Sequence, residues 1–116
     1  YIATHPDINC PSENKPLPDV GSFIELIKTS TGRVPDVIIG KPYKTFGDWL
    51  MREYNAAPEE FMMVGDRLYT DIAFGVNCGF HSLFVLSGEG TEDMVNKSDK
   101  KPEFILDSLN DIVEYL

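Results

Sequence analysis

Apolar residues in this chain alternate between two rhythms, short continuous runs and stripes spaced three and four apart. Val20, Phe23, Ile24 and Ile27 stand at i, i+3, i+4 and i+7, which predicts an amphipathic helix ending near Gly32. Phe46, Trp49, Leu50 and Tyr54 predict a second helix that stops before Pro58. Leu68, Ile72 and Val76 give a third stripe, closed by Gly79, and Glu92 to Lys97 a short fourth helix. Ser108 and Asp111 have the spacing of a capping box for a last helix with Leu109, Ile112, Val113 and Leu116 inward. Between these lie strand-like runs at Tyr1 to Ala3, Asp36 to Ile39, Phe61 to Val64, Phe80 to Leu86 and Phe104 to Leu106. Asn9 to Asp19 holds three prolines and reads as an irregular connection. Continuous apolar strands alternating with helices predict an α/β fold, a mostly parallel sheet with helices on both faces.

Composition narrows the choice of function. The chain has 116 residues, one ordinary domain by length. Acidic residues number 19 against 10 Lys and Arg, a net charge of −9. That balance argues against duplex nucleic acid and anionic membrane surfaces, which call for a basic face, and suits a site that collects cations such as Mg²⁺. Cys10 and Cys78 have no CxxC spacing, so a disulfide framework or a cysteine zinc site is not expected. No apolar run approaches ~20 residues, and the first residues lack the pattern of a signal peptide, so the expected setting is the cytoplasm. The missing initiator Met fits a chain that begins inside a longer protein.

Chemistry in an open parallel sheet gathers beyond the carboxyl ends of its strands. Two loops there carry charge directly after apolar runs, Gly40-Lys41-Pro42 and Gly65-Asp66-Arg67-Leu68-Tyr69-Thr70-Asp71. Asp66 and Asp71 could converge on a cation, because two carboxylates without a basic neighbour repel each other, and Mg²⁺ accepts one or two of them. They could equally be helix N-caps. Lys41 could neutralise a phosphate as a compact point charge or be a solvated surface lysine. There is no HExxH, no GxSxG elbow and no evident nucleophile.

Together, Gly40-Lys41-Pro42 and Val64-Gly65-Asp66-Arg67-Leu68-Tyr69-Thr70-Asp71-Ile72 closely resemble motifs III and IV of the haloacid dehalogenase (HAD) superfamily. More narrowly the chain resembles the NagD and p-nitrophenyl phosphatase branch (subfamily IIA), whose members carry a C2-type cap. Ile2 to Asp7, Leu17 to Phe23 and Leu86-Ser87-Gly88 ahead of Thr91-Glu92-Asp93 fit that branch too. The resemblance implies a Mg²⁺-dependent phosphatase acting on small phosphate monoesters, on a HAD-like Rossmannoid core. It makes Lys41 the motif III lysine that binds phosphate, Asp66 a ligand of Mg²⁺, and Asp71 an acid that supports the metal's waters and Lys41. Residues 1–8 would be the end of the cap returning to the core, and 9–116 the C-terminal part of that core. Thr4, His5 and Asp7 would lie at the cap–core or substrate edge, although the family usually has asparagine where this chain has His5.

One departure is larger. The family attacks phosphate with the first aspartate of a DxD motif and uses a motif II Ser or Thr, and neither precedes Lys41. Upstream stand only Asp7, Asp19 and Asp36, none of them following an apolar strand as Asp-x-Asp. The resemblance therefore implies the C-terminal half of an enzyme, inactive alone. Its unpaired strand edge should self-associate or bind the missing N-terminal half. Two readings from other classes stand beside it: a phosphoacceptor signalling module, and a non-catalytic α/β interaction domain. In the former the paired acids would precede the lysine, the reverse of the order here.

Overall fold

The computed structural model describes residues 1–10, 12 and 15–115. In chain order it contains β1 (Ile2–Ala3), β2 (Asn9–Cys10), β3 (Leu17–Pro18), α1 (Val20–Thr31), β4 (Val37–Ile38) and α2 (Thr45–Tyr54). A 3₁₀ turn at Pro58–Glu60 leads into β5 (Met62–Gly65), a π turn at Leu68–Ile72 and α3 (Ala73–Cys78). β6 (His81–Val85), α4 (Glu92–Lys97), β7 (Phe104–Leu106) and a 3₁₀ segment at Leu109–Tyr115 complete it. Among the described residues no helix is long and apolar enough to cross a membrane.

The parallel α/β pattern is present, divided into separate ladders. β5, β6 and β7 pair in parallel, with Gly65 opposite Phe84 and Val85 opposite Leu106. β1 and β4 form a second parallel ladder, with Ala3 opposite Ile38, and no ladder hydrogen bonds join the two sets. The proline-rich connection is less irregular than expected, because β2 and β3 pair antiparallel across it. Proline is tolerated there because this is a two-stranded ribbon, made almost entirely of edge.

Local signals explain most helix limits. Asp19 caps α1 by accepting from the Val20 N–H at 2.8 Å, and Gly32 ends it in the left-handed region at φ 73°. Two expected stripes are displaced. The third helix opens with a π turn, whose extra residue resets the helical phase, so Leu68 and Ile72 are buried while Val76 is exposed. The last segment is a 3₁₀ helix, not an α-helix. At three residues per turn the i,i+4 stripe drifts off one face, and Leu109 and Val113 are exposed. Its capping pair forms as expected: the Ser108 N–H donates to Asp111 Oδ2 at 2.8 Å, and Ser108 Oγ accepts from the Asn110 N–H at 3.2 Å. Leu116 lies outside the described residues.

The core is concentrated in the second half of the chain. Leu68, Ile72, Phe84 and Val95 form one buried cluster, and Phe74, Cys78 and Phe80 another, against which Leu50 and Met51 of α2 pack. Phe80 stacks on Phe61 at 4.8 Å and meets the edge of Phe74 at 5.9 Å. These contacts fix the β5–α3–β6 unit, and with it the strand ends that carry the polar residues.

Candidate active site

β5 ends at Gly65, and the next residues turn directly into the π turn. Gly65 is required by close approach, since a Cβ there would lie 2.3 Å from the Asp71 Cβ. Asp71 is thereby folded under the strand end, only 4% exposed. Its two carboxylate oxygens are both engaged. Oδ1 forms an ion pair with Lys41 Nζ, and Oδ2 accepts from the Arg67 backbone N–H at 3.2 Å. A carboxylate this buried needs such partners, because an uncompensated charge out of water is costly.

Lys41 arrives from the loop after β4. The Gly40 N–H donates to the Thr4 carbonyl at 2.7 Å, and a Cβ on Gly40 would stand 2.4 Å from that oxygen. On the other side, Asn77 Nδ2 of α3 donates to the Pro42 carbonyl at 2.8 Å. The Lys41–Asp71 and Asn77–Pro42 contacts tie the β4 loop to the β5–α3 unit at the site, where the strands themselves do not pair.

Asp66 is held from a third element, the loop after β6. Its Oδ2 accepts from the Glu89 backbone N–H at 2.8 Å, and no described residue donates to Oδ1. Glu89 in turn grips Arg67 with both carboxylate oxygens, from Nε at 2.9 Å and from Nη2 at 2.7 Å. That hydrogen-bonded pairing, opposed by a smaller desolvation effect, holds the Arg67 guanidinium above its already high ordinary pKa. Neither Asp66 nor Asp71 is an N-cap: Arg67 occupies the cap position of the π turn, and its side chain makes no capping bond.

The structure therefore brings Lys41 and Asp71 into contact and places Asp66 on the same strand end. The other three expected residues lie around β1. Thr4 anchors Gly40 through its carbonyl. His5 stands between two carboxylates, Nδ1 at 3.7 Å from Asp7 and Nε2 at 3.5 Å from Asp19, and its buried Nδ1 makes no hydrogen bond. Asp7 lines an open cleft of about 640 Å³ shared with Pro42, Tyr43, Arg67, Tyr69, Thr70 and Glu89. Sequence reasoning missed Asn77, and it missed Glu89 as a partner of Arg67. The signal for Glu89 was a single side chain between two glycines beyond a strand end.

The donor set bears on a cation. Among the described residues no three His, Cys, Asp or Glu side chains converge. Each Asp71 oxygen already has a donor, while Asp66 Oδ1 has none among the described residues. One carboxylate fits Mg²⁺, which takes one or two and completes its octahedron with water and substrate oxygens. The chain would thus supply one arm of such a site.

Fold and site define an α/β protein whose polar chemistry is gathered at the carboxyl ends of parallel strands. Comparison with known proteins narrows that class. The family described as HAD-hydrolase-like matches residues 38–112. The chain belongs to this HAD-like hydrolase family. It is 35% identical to 5'-nucleotidase YutF of Bacillus subtilis over 100% of its own length and 45% of that protein's. It is 34% identical to human glycerol-3-phosphate phosphatase, over 99% of this chain and 39% of that one. Among solved structures, a 4-nitrophenylphosphatase from Thermotoga maritima superposes with a TM-score of 0.90 at 46% identity, over 98% of this chain and 44% of that one. A p-nitrophenyl phosphatase from Archaeoglobus fulgidus gives 0.91 at 34% identity, over 100% and 46%. The chain spans less than half the length of each of these relatives.

Proposed function

We propose that this chain is the C-terminal part of a Mg²⁺-dependent HAD phosphatase of the NagD and p-nitrophenyl phosphatase branch, hydrolysing small phosphate monoesters in the cytoplasm. The observation that carries this reading is the Lys41–Asp71 ion pair at the strand end that also bears Asp66, in a chain that superposes on phosphatases of known structure. The relatives' names share a phosphate ester and differ in the group attached to it, which supports a phosphate-centred site without choosing a leaving group.

Each residue has a physical task. Lys41 places a compact positive charge where phosphate oxygens would lie, and Asp71 holds the ammonium in position. Asp66 Oδ1 would hold Mg²⁺, which when bound neutralises phosphate charge. The nucleophilic carboxylate belongs, on this reading, to a segment outside the chain. With it would come further strand pairing for β5, which among the described residues pairs only with β6. Residues 1–8 would then be the return from a cap, with Thr4, His5 and Asp7 at the cap–core edge. A radius of gyration of 15.9 Å supports an incomplete unit, since compact domains of this length approach about 13 Å.

The test is p-nitrophenyl phosphate hydrolysis, with Mg²⁺ and with EDTA, by two proteins. One is this chain; the other is the Thermotoga maritima phosphatase with this chain grafted over its matching segment. The expected result is no turnover by the chain, and Mg²⁺-dependent turnover by the graft that falls at least ~100-fold in Lys41→Met and Asp66→Asn. Turnover by the chain alone, lost in Asp66→Asn, would reveal a nucleophile within these residues and end the half-enzyme reading. A folded but silent graft would end the phosphatase reading.

A further inference from the structure

Asp66 does not choose its own orientation. Its loop follows β5, and the loop that holds its carboxylate follows β6, brought alongside by the parallel register of Gly65 with Phe84. In that second loop the backbone lies directly on Asp66. A Cβ on Gly88 would fall 2.0 Å from Asp66 Oδ2, and one on Gly90 would fall 2.5 Å from the Asp66 carbonyl and 2.1 Å from Phe84. Both flanks of Glu89 are therefore bare, which lets its N–H reach Asp66 Oδ2 at 2.8 Å. A Gly-Glu-Gly segment has little stiffness of its own, so something else must keep that N–H in place. The side chain between the glycines does this, gripping Arg67 at 2.9 and 2.7 Å in the two-pronged geometry that fixes direction as well as distance.

We infer that the Arg67–Glu89 pair is a positioning device for Asp66. It clamps the β6 loop so that Glu89 N–H occupies one carboxylate oxygen and presents the other to a divalent cation. Glu89 and Arg67 touch neither cation nor phosphate in this scheme; they act through the Asp66 carboxylate. The inference rests on Asp66 being the cation ligand of the proposed function. It adds which oxygen is offered and what decides that. It also gives Arg67 a task separate from phosphate binding, since two prongs of its guanidinium are committed to Glu89.

The experiment uses the Thermotoga maritima phosphatase carrying this chain over its matching segment, and compares it with the same protein bearing Arg67→Gln, Glu89→Ala or the charge-swapped double Arg67→Glu/Glu89→Arg. Arg67→Gln is the informative single change, because it leaves Asp66, residue 89 and the Arg67-position backbone N–H to Asp71 chemically intact. Hydrogen exchange of the residue-89 amide is followed by NMR, with the β6 amides of Leu83 and Phe84 as internal controls for folding. Mg²⁺ alone is then titrated and followed by the Gly65 and Asp66 amide shifts. Arg67→Gln should speed exchange at residue 89 at least ~10-fold with the β6 controls unchanged, and raise the Mg²⁺ half-saturation about 10-fold, the low end for a group supporting a metal ligand. The swapped double should recover part of both. Unchanged exchange at residue 89 would overturn the clamp. Faster exchange with an unaltered Mg²⁺ response would overturn its role in positioning. Asp66→Asn separates the two readings: if it leaves the Mg²⁺ response unaltered, the metal assignment in the proposed function fails, while the exchange data still judge the clamp.

Discussion

The two halves of this molecule have similar apolar content in their helices and opposite fates for it. Apart from Ala3, every fully buried apolar residue among those described lies between Leu68 and Val95. α1 and α2, by contrast, bury only Gly21 and Gly47 completely, and leave Phe23 56% and Trp49 45% exposed. An apolar stripe is a demand for a covering layer, and whether the layer exists depends on chain that is nearby in space. The half that carries Asp66 satisfies its own demand between Leu68 and Val95, and leaves Phe104, Ile105, Leu109 and Val113 beyond it exposed. The half that carries Lys41 meets it chiefly where α2 rests on α3, and joins the other half at the site through two polar contacts, Lys41 to Asp71 and Asn77 to Pro42. The site thus lies where a well-buried unit meets a poorly covered one.

That contrast breaks most directly in the core. Phe84 is 0% exposed, and Phe84→Ala should cost about 3–5 kcal/mol in urea unfolding, enough to unfold a marginal domain. Leu26→Ala, on a side chain 65% exposed, should move stability by no more than about 0.5 kcal/mol. If the Leu26 change instead costs as much as a core truncation, α1 is covered in solution and the two halves are not different in kind. Concentration dependence of the unfolding midpoint would show whether a second copy does the covering.

A smaller effect sharpens the comparison at the junction. Lys41→Met leaves the buried Asp71 carboxylate with the Arg67 N–H but no cation. Because the lysine is half-exposed, the expected loss is about 1–2 kcal/mol and not that of a fully buried pair. Asp71→Asn in the same background should recover part of it by removing the stranded charge. Urea unfolding of the two single variants and the double measures this coupling, and additive losses would mean the ion pair links nothing.

Much of this was legible in the sequence, for reasons that differ by residue. The element order followed from runs and stripes, and the ends of α1 from Asp19 and Gly32, because capping is local chemistry. Lys41, Asp66 and Asp71 were legible as residue types after apolar strands. Their arrangement was not: Asp71 pairs with a lysine thirty positions away, which no local pattern encodes. The π turn was illegible because one extra residue within a helix leaves no compositional mark, yet it decides that Ile72 is buried and Val76 is not. The exposed stripes of α1 and the final segment carry the same lesson from the other side. Periodicity states which face wants cover, and only tertiary context says whether cover arrives. Glu89 is the clearest omission, since its partner Arg67 becomes a neighbour only through strand register.

The smallest expected effect lies at the far end of the strands. His81 opens β6, Glu103 immediately precedes β7, and the ring Nδ1 meets Glu103 Oε2 at 2.6 Å. Hydrogen bonding to that carboxylate, aided by the Glu59 backbone, raises the His81 pKa above its ordinary 6.5. A raised folded value means the protonated pair stabilises the fold fully below the unfolded pKa, and that this contribution fades as pH climbs through the folded one. Melting temperature should therefore fall slightly more from about pH 6 to pH 8.5 in the parent chain than in Glu103→Gln. Both side chains are exposed, so the difference is small and should shrink further in high salt. In the grafted phosphatase the Mg²⁺ half-saturation should be unchanged by Glu103→Gln, because this pair grips the amino ends of the strands while Asp66 stands at the carboxyl ends. An altered Mg²⁺ response would mean that the β5–β6–β7 unit transmits strain from the amino to the carboxyl ends of its strands.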